Sequence, residues 1–581
     1  MHAQTDSSAG EDEPEPNRND TCRRDLEITV ECLPQLATDI LLPNMAILAL
    51  SRKADRKANV DHRAASPNRD SRWFFLTAFQ YVVALCFPAI FAAATYFYWV
   101  AKATVIPYEF DYGEGIVLWQ AAHVTRLASA YAPIAQYPYI VFHYPPLYHA
   151  VSWAVFRLTG DLLFAGRLVS LVSTFALCLT LGWTVYRSVP VRAPKLAAIG
   201  GGLFAGALPC GLDNMDWARL MRVDMLGLCL TFAGLAVFIF GRNAAMRYTA
   251  FVLFVAAMYT KQTLIGGALA CLVVAAILNI RQAIKLLLFT VTLSASVMTL
   301  LAIATHGQVI RHLFLYNQNT FSLGRAIRLI NENIRVTLPL LALASAGALI
   351  PLAEAARSLS RRRSGPLRAR LLQSTYRRAL CTFAIHFLFS GIMSLTIGKA
   401  GANSNYLLEW NLSACALAGL VLAHLIWGWR TMRRVSSAAT VAYLLPLLMM
   451  AQQAVSAIRF VGLSSSLRQE YTDNVRNSEA LLRVLRSSQE PVMSENMTLL
   501  YKAGKQTPFE PAIITQLAAT GLWDETPLID MIHRRAFSVM IIHEIDDQDR
   551  YSPAVARAIK EYYEPEEEYG NLTVYRPANR R

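Results

Sequence analysis

Charge is scarce in this chain of 581 residues: Asp, Glu, Lys and Arg make up 17%, against 54% hydrophobic residues. Mean hydropathy is +0.32. A soluble globular chain carries about 25% charge, so ordinary cytosolic and disordered classes are excluded and a polytopic membrane protein is indicated. Cysteine is sparse too, with nine residues, seven of them in apolar runs and none beyond residue 459. No disulfide framework or C-x-x-C metal pattern follows, and small buried filler is the expected role. A Ser-His-Asp set, a P-loop, an H-E-x-x-H motif, a dinucleotide fingerprint and an internal repeat are all missing.

The net charge of +14 is unevenly placed. Residues 1–72 hold 10 basic and 13 acidic residues, and 459–581 hold 15 and 18. The middle, 73–458, holds 30 basic and only 10 acidic residues. An excess inside the apolar section argues against nucleic acid as a partner and for basic cytoplasmic loops.

Three regions are predicted: a disordered cytoplasmic arm (1–72), a transmembrane section (73–458) and a small extracytoplasmic α/β domain (459–581). Apolar runs near 73–100, 164–186, 196–212, 224–240, 247–260, 263–280, 286–305, 336–354, 379–397, 406–428 and 438–458 predict about eleven transmembrane helices. The short run 145–160 contains His149 and Arg157, and counting it as a span reverses everything after it. Laid along the interface instead, it leaves 18 of the 30 basic residues in inner loops, eight of them arginines between 357 and 378. The positive-inside rule therefore makes 145–160 interfacial. The same choice puts nine of the ten acids outside, which suggests an outward-facing polar cavity.

Five stretches carry candidate chemistry. The first outer loop places Glu109, Asp111 and Glu114 within six residues. Asp111 and Glu114 share a face if the loop turns helical, and Glu109 and Asp111 do if it is extended. A partly desolvated carboxylate can act as general base towards a hydroxyl, and a solvated loop is the other reading. Next, His143 and Tyr144 lie in an aromatic, proline-rich segment suited to the interface; His143 either binds phosphate or sugar or is structural. Arg219 and Arg222, one turn apart, suit an anion, while Asp224 can tie Arg222 down. Lys261 breaks an apolar stretch at its outer end, as a snorkelling lysine or a counter-charge for a lipid phosphate. Lastly, Asn405 stands at a helix-cap position, Tyr406 follows it, and Glu409 falls one turn inside the membrane.

Asp111–Gly115 (Asp-Tyr-Gly-Glu-Gly), Tyr144–Tyr148 (Tyr-Pro-Pro-Leu-Tyr) with an Arg-Leu at the helix after it, Arg222–Leu226 (Arg-Val-Asp-Met-Leu) and Asn405–Glu409 (Asn-Tyr-Leu-Leu-Glu) resemble the GT-C superfamily of membrane glycosyltransferases. That group includes protein O-mannosyltransferases and lipid A aminoarabinose transferases, and the likeness covers roughly 73–458. Many relatives have adjacent Asp-Glu in the first loop, whereas here Gly113 precedes Glu114, so either Asp111 or Glu114 is the base. The resemblance implies juxtamembrane helices over the active site and inverting transfer of a sugar to an acceptor hydroxyl. The donor would be a polyprenyl-phosphate-linked sugar in the bilayer, and the acceptor a glycan, lipid or protein. Lys261 with Arg219 or Arg222 would hold the leaving phosphate. Glu109, His143, Tyr144, Asp224, Asn405, Tyr406 and Glu409 complete the expected substrate site. No cofactor is expected, and a divalent metal is left open. The expected location is the cytoplasmic (inner) membrane, with the N-terminus inside. A secondary transporter and a non-catalytic assembly protein are the competing classes.

Overall fold

A computed structural model describes residues 70–360, 371, 373–428, 437–462 and 464–578. The expected N-terminal arm falls outside these, except for 70–72, which open the first helix. Most of the arginines between 357 and 378 fall outside as well. The larger of two compact units, 76–430 with 445–581, holds every candidate site residue. Among described residues the smaller unit holds only 70–75 and 437–444, both helical.

The protein is a polytopic membrane protein, and every one of the eleven apolar runs is helical. Among the described residues seven helices are long and apolar enough to cross a bilayer: Leu76–Thr104, Leu162–Ser188, Ile280–Ala304, Leu323–Pro351, Thr375–Gly398, Ser404–Gly428 and Thr440–Arg459. Asp224–Phe240, Ala244–Met258 and Gly266–Leu278 are shorter apolar helices. Lys195–Gly211 continues into Asp213–Arg219 through a 79° bend, after which the chain delivers Arg219, Arg222 and Asp224 to the site. Lys195–Ala207 is wedged between Leu162–Ser188 and Leu408–Gly428 on small residues. A Cβ on Gly201 would stand 2.7 Å from the Gly419 carbonyl oxygen, so glycine is required for this approach.

The run 145–160 forms a helix, Leu147–Thr159, stopped by Gly160 in the left-handed region. Its 13 residues span about 20 Å, short of the ~30 Å hydrocarbon core. It packs against Tyr112–His123 and Leu162–Ser188.

After residue 464 comes a long helix, Ser464–Ser487, then a small α/β layer. Its sheet has the order β1-β2-β4-β3, from β1 (Met493–Ser494), β2 (Met540–Ile542), β3 (Tyr563–Tyr569) and β4 (Leu572–Pro577). Only the β1–β2 pair is parallel. Pro553–Tyr562 is helical and leads directly into β3 at Tyr563. The apolar piece Leu499–Lys502 lies within a helix, Met497–Ala503, capped by Asn496. The core under the sheet also takes in Ile134, Tyr139, Val141 and Tyr316 from the transmembrane section, with Trp523 and Phe509 on the other side. Tyr139 N donates to the Pro508 carbonyl (2.8 Å) and Trp523 Nε1 to the Ile134 carbonyl (3.1 Å). These contacts join the two parts by backbone as well as by packing.

Candidate functional site

The three loop acids have three different environments. Asp111 N-caps the helix Tyr112–His123, accepting from Gly113 N at 3.0 Å. Its side chain is 36% exposed and takes Arg222 Nη1 at 3.2 Å. Glu114 is wholly buried, and every acceptor direction is filled. Oε1 receives Arg167 Nε (2.8 Å) and Met221 N (2.7 Å), while Oε2 receives Arg167 Nη2 (2.7 Å) and Phe110 N (2.8 Å). Arg167 uses its remaining donors on the carbonyls of Ala103 (3.3 Å), Ile106 (2.6 Å) and Tyr108 (2.8 Å). All five guanidinium N–H groups are thus satisfied, and the pair fastens the loop to the Leu162–Ser188 helix.

Glu109 is buried against the C-terminal layer, where Oε2 accepts from Thr498 N (3.2 Å) and Thr498 Oγ1 (2.6 Å). Burial holds its carboxyl well above the ordinary carboxylate range, although the Thr498 hydrogen bonds pull it down. Tyr112 donates a very short hydrogen bond to Glu510, whose carboxyl burial also raises.

Gly113 explains the gap between the two acids of the motif. A Cβ there would sit 1.3 Å from Arg222 Nη1, so the Arg222 guanidinium occupies the space that any side chain would need. The plane of Arg222 lies over Trp217 (4.8 Å to the ring centroid). Asp224 does not hold it. Asp224 instead takes Lys261 Nζ at 2.6 Å and Asn405 Nδ2 at 3.0 Å, both on Oδ1. Arg219 turns away from Arg222 to Asp216 (3.2 Å) and stacks over Phe110 (5.3 Å), because 213–219 is a 3₁₀ segment ending before Arg222. The two arginines therefore do not form one fork.

The helix-cap expectation for Asn405 is corrected. Asn403 caps the turn, its Oδ1 accepting from Ser404 N at 2.7 Å, and this leaves the Asn405 amide free to reach Asp224. Tyr406 lies under the Lys261 ammonium, 4.3 Å from the ring centroid. Glu409, in the first turn of Leu408–Gly428, takes His386 Nε2 at 2.8 Å. Lys261, Asp224, Asn405, Tyr406 and Glu409 line a narrow space of about 20 Å³. Asp224 Oδ2 and Asn405 Oδ1 are buried there without hydrogen-bond partners among the described residues. Tyr144 links this group to Arg222, its hydroxyl lying within electrostatic reach of Arg222, Asp224, Tyr406 and Lys261.

His143 packs on Tyr144 (4.1 Å between centroids) and shares Nδ1 with Gln120 Nε2 (3.2 Å). Burial and the charge of Arg222 push its pKa down to about 3. The ring is therefore neutral near pH 7, which suits a structural or hydrogen-bonding role better than a cationic one.

Two spaces result. The narrow one sits over Lys261. The other is a cavity of about 780 Å³, with Glu109, Phe110, Asp111, Tyr112 and Arg219 on one wall and residues of 470–481, Glu495, Asn496, His543, Arg550 and the β3–β4 hairpin on the other. Its volume is in the range of ligand clefts, about 300–1,000 Å³. Arg550 braces the rim through a very short ion pair with Glu495 and a stack over Tyr112 (4.4 Å). Among the described residues no group of three His, Cys, Asp or Glu side chains could hold a metal ion.

His386, Thr498 and Glu510 carry no role in the sequence reading, and Arg167 enters it only as the Arg-Leu of the helix after Tyr144–Tyr148, with no role of its own. Arg167 and His386 left a usable signal, since an ionisable residue inside an apolar span needs a partner. Thr498 and Glu510 left none, because their partners lie 389 and 398 residues away.

The helical bundle, the juxtamembrane helices and the C-terminal layer together make an ArnT-like fold. Among solved structures, the chain is similar to ArnT from Cupriavidus metallidurans in the apo state, with TM-score 0.52 and 14% identity over 86% of this chain and 98% of that one. ArnT is an aminoarabinose transferase of the GT-C type. No protein-family model matches the sequence, and no curated protein matches it.

Proposed function

We propose that this protein is a GT-C type glycosyltransferase of the cytoplasmic membrane. It moves a sugar from a polyprenyl-phosphate carrier to an acceptor hydroxyl on the outer face, with inversion. The observation that carries the reading is Asp111: a half-exposed carboxylate facing the cavity, beside Arg222 and one residue chain from Lys261. Asp111 takes the acceptor proton as the acceptor oxygen attacks the anomeric carbon, and the carbon–phosphate oxygen bond breaks with its electron pair leaving on phosphate. Arg222 and Lys261 receive that charge. Lys261 suits the task because Asp224 uses one of its three N–H groups, and the other two have no acceptor among the described residues. Tyr144, Tyr406 and Asn405 border the same space and contribute hydrogen bonds to phosphate or sugar, and Arg219 borders the acceptor side.

Glu114 is not the base in this mechanism. Its four acceptor positions are filled by Arg167 Nε and Nη2, Met221 N and Phe110 N. Glu109 and Glu409 are likewise positioning residues, held by Thr498 and His386.

The test compares two variants in membranes supplied with labelled lipid-linked sugars. Asp111→Asn should fold normally and lose transfer by about 10²–10⁴-fold. Glu114→Gln should lose folded protein, since breaking a buried ion pair costs about 3–5 kcal/mol. Full transfer by Asp111→Asn removes Asp111 from the mechanism.

A further inference from the structure

The large cavity carries information about its occupant. One wall is the Ser464–Ser487 helix, which presents Tyr471, Asn474 and Asn477 to it. Asn571 faces them from the hairpin tip, where a Cβ on Gly570 would meet Asn477 Nδ2 at 2.8 Å. Asn474 Oδ1 is buried and has no partner among the described residues, an acceptor left waiting for a donor. Phe110 and Tyr471 face each other at 5.2 Å at the end nearest Asp111.

Carboxyl groups outnumber cations on this space: Glu109, Asp111, Glu470, Asp473 and Glu495 stand against Arg219 and Arg550. Arg219 is held by Asp216 (3.2 Å), and Arg550 by Glu495 and by Asp547 (3.3 Å). Asp473 is paired with Arg476 (2.9 Å), and Glu470 has no ion pair among the described residues. A phosphorylated or carboxylated occupant would find Arg219 already bonded to Asp216 through Nη2, with its buried Nε left over among the described residues, and would meet the Glu470 carboxylate. Primary amides both donate and accept, which is what a polyol needs from its neighbours. The rings of Tyr471 and Tyr569, which no arginine or lysine covers among the described residues, suit the flat C–H faces of sugar rings. Leu481 and Leu572 are the aliphatic lining residues, too few for an acyl chain or for the apolar anchors of a bound peptide.

We propose that this cavity is the acceptor subsite and that its occupant is an uncharged saccharide chain, held by Tyr471, Asn474 and Asn477 with its terminal hydroxyl towards Asp111. The word acceptor rests on the transferase reading; the chemistry of the occupant does not. A space of about 780 Å³ admits more than one sugar unit.

The experiment is saturation-transfer NMR on the full chain in detergent. The probes are neutral tetrasaccharides of glucose, galactose, mannose and arabinose, with glucose 6-phosphate and a Ser/Thr-rich octapeptide as contrasts. At least one neutral tetrasaccharide should bind, and Asn474→Leu and Tyr471→Ala should each weaken it by about tenfold with an unchanged unfolding temperature. The two variants alter different chemistry, so either one reads the site if the other fails to fold. Lys261→Met, outside this cavity, should bind the saccharide as wild type does while losing transfer. No binding by any neutral tetrasaccharide, preference for the phosphorylated or peptide probe, or undiminished binding in the folded variants overturns the proposal. Loss of the transferase reading alone would show as saccharide binding intact but no transfer from any lipid-linked donor.

Discussion

At the scale of single residues, the two acids of Asp-Tyr-Gly-Glu-Gly divide the work by burial. Glu114 spends all its lone pairs on Arg167, Met221 N and Phe110 N, whereas Asp111 keeps part of its surface towards the cavity. Gly113 makes the division workable by leaving room for Arg222. Gly113→Ala therefore puts a methyl where Nη1 stands, and the guanidinium must swing away from Asp111. The backbone there is an ordinary first helical turn, so folding should survive. Transfer should fall by about 10²-fold, as expected for misplacement of a catalytic group by an ångström. The comparison that checks it is membrane yield against turnover: equal turnover in Gly113→Ala would mean the Asp111–Arg222 contact is idle. The sequence reading identified both acids and Arg222, but could not pair them. Asp111 and Arg222 are 111 residues apart, and Arg222 has an acid two positions on, Asp224, that looks like its partner. The 79° bend at the end of Lys195–Gly211 decides the matter, and nothing in residue spacing encodes its direction.

At the scale of elements, the helices were legible, and short apolar pieces at 492–494, 538–543 and 572–575 marked β1, β2 and β4, but β3 left no mark. The run 224–240 coincides with the helix Asp224–Phe240 because bilayer-spanning apolarity is a strong, continuous signal. Strand β3 reads Tyr-Glu-Pro-Glu-Glu-Glu-Tyr; its middle is exposed, and it pairs on one side only, so no alternation betrays it. The joint between the loop and the Met497–Ala503 helix was hidden for another reason: it consists of one acid and one threonine, Glu109 and Thr498. That joint should respond to pH. The folded state holds the Glu109 proton more tightly than the unfolded chain, because burial raises its pKa. The resulting stability is complete below the ordinary carboxylate range and is lost as pH rises from there through the folded value. Amide exchange in Met497–Ala503 should accelerate with pH beyond its intrinsic base dependence, by up to about tenfold per pH unit. Glu109→Gln should flatten that excess. An excess of the same size in Glu109→Gln would assign the pH response to another group, with Glu510 next in line.

At the scale of the molecule, charge separates along the helices. Asp224 opens a helix of 17 residues, and Arg242 follows its far end, about 26 Å away at 1.5 Å per residue. Arg247 sits in the first turn of the returning helix, while Lys261 lies just past that helix's last residue, Met258. Arg378, in the first turn of Thr375–Ser394, is within electrostatic reach of Arg247 and Arg242. Leu162–Ser188 repeats the arrangement, from Asp161 beside Lys502 to Arg187 at the opposite end. One end of the bundle is therefore basic, and the other holds the acids and the cavity. The positive-inside rule is what supports the proposed orientation, with the basic end cytoplasmic and the cavity on the outer surface. Arg192 and Glu566 are exposed residues at the two ends. In a background with Cys22 and Cys32 replaced by serine, Glu566→Cys should react with a membrane-impermeant maleimide on intact cells. Arg192→Cys should react only after permeabilisation. The seven described native cysteines are buried or half-buried and should give little background. The reverse pattern would turn the protein over in the membrane, put the cavity in the cytoplasm, and make a soluble nucleotide-sugar donor the first alternative to test.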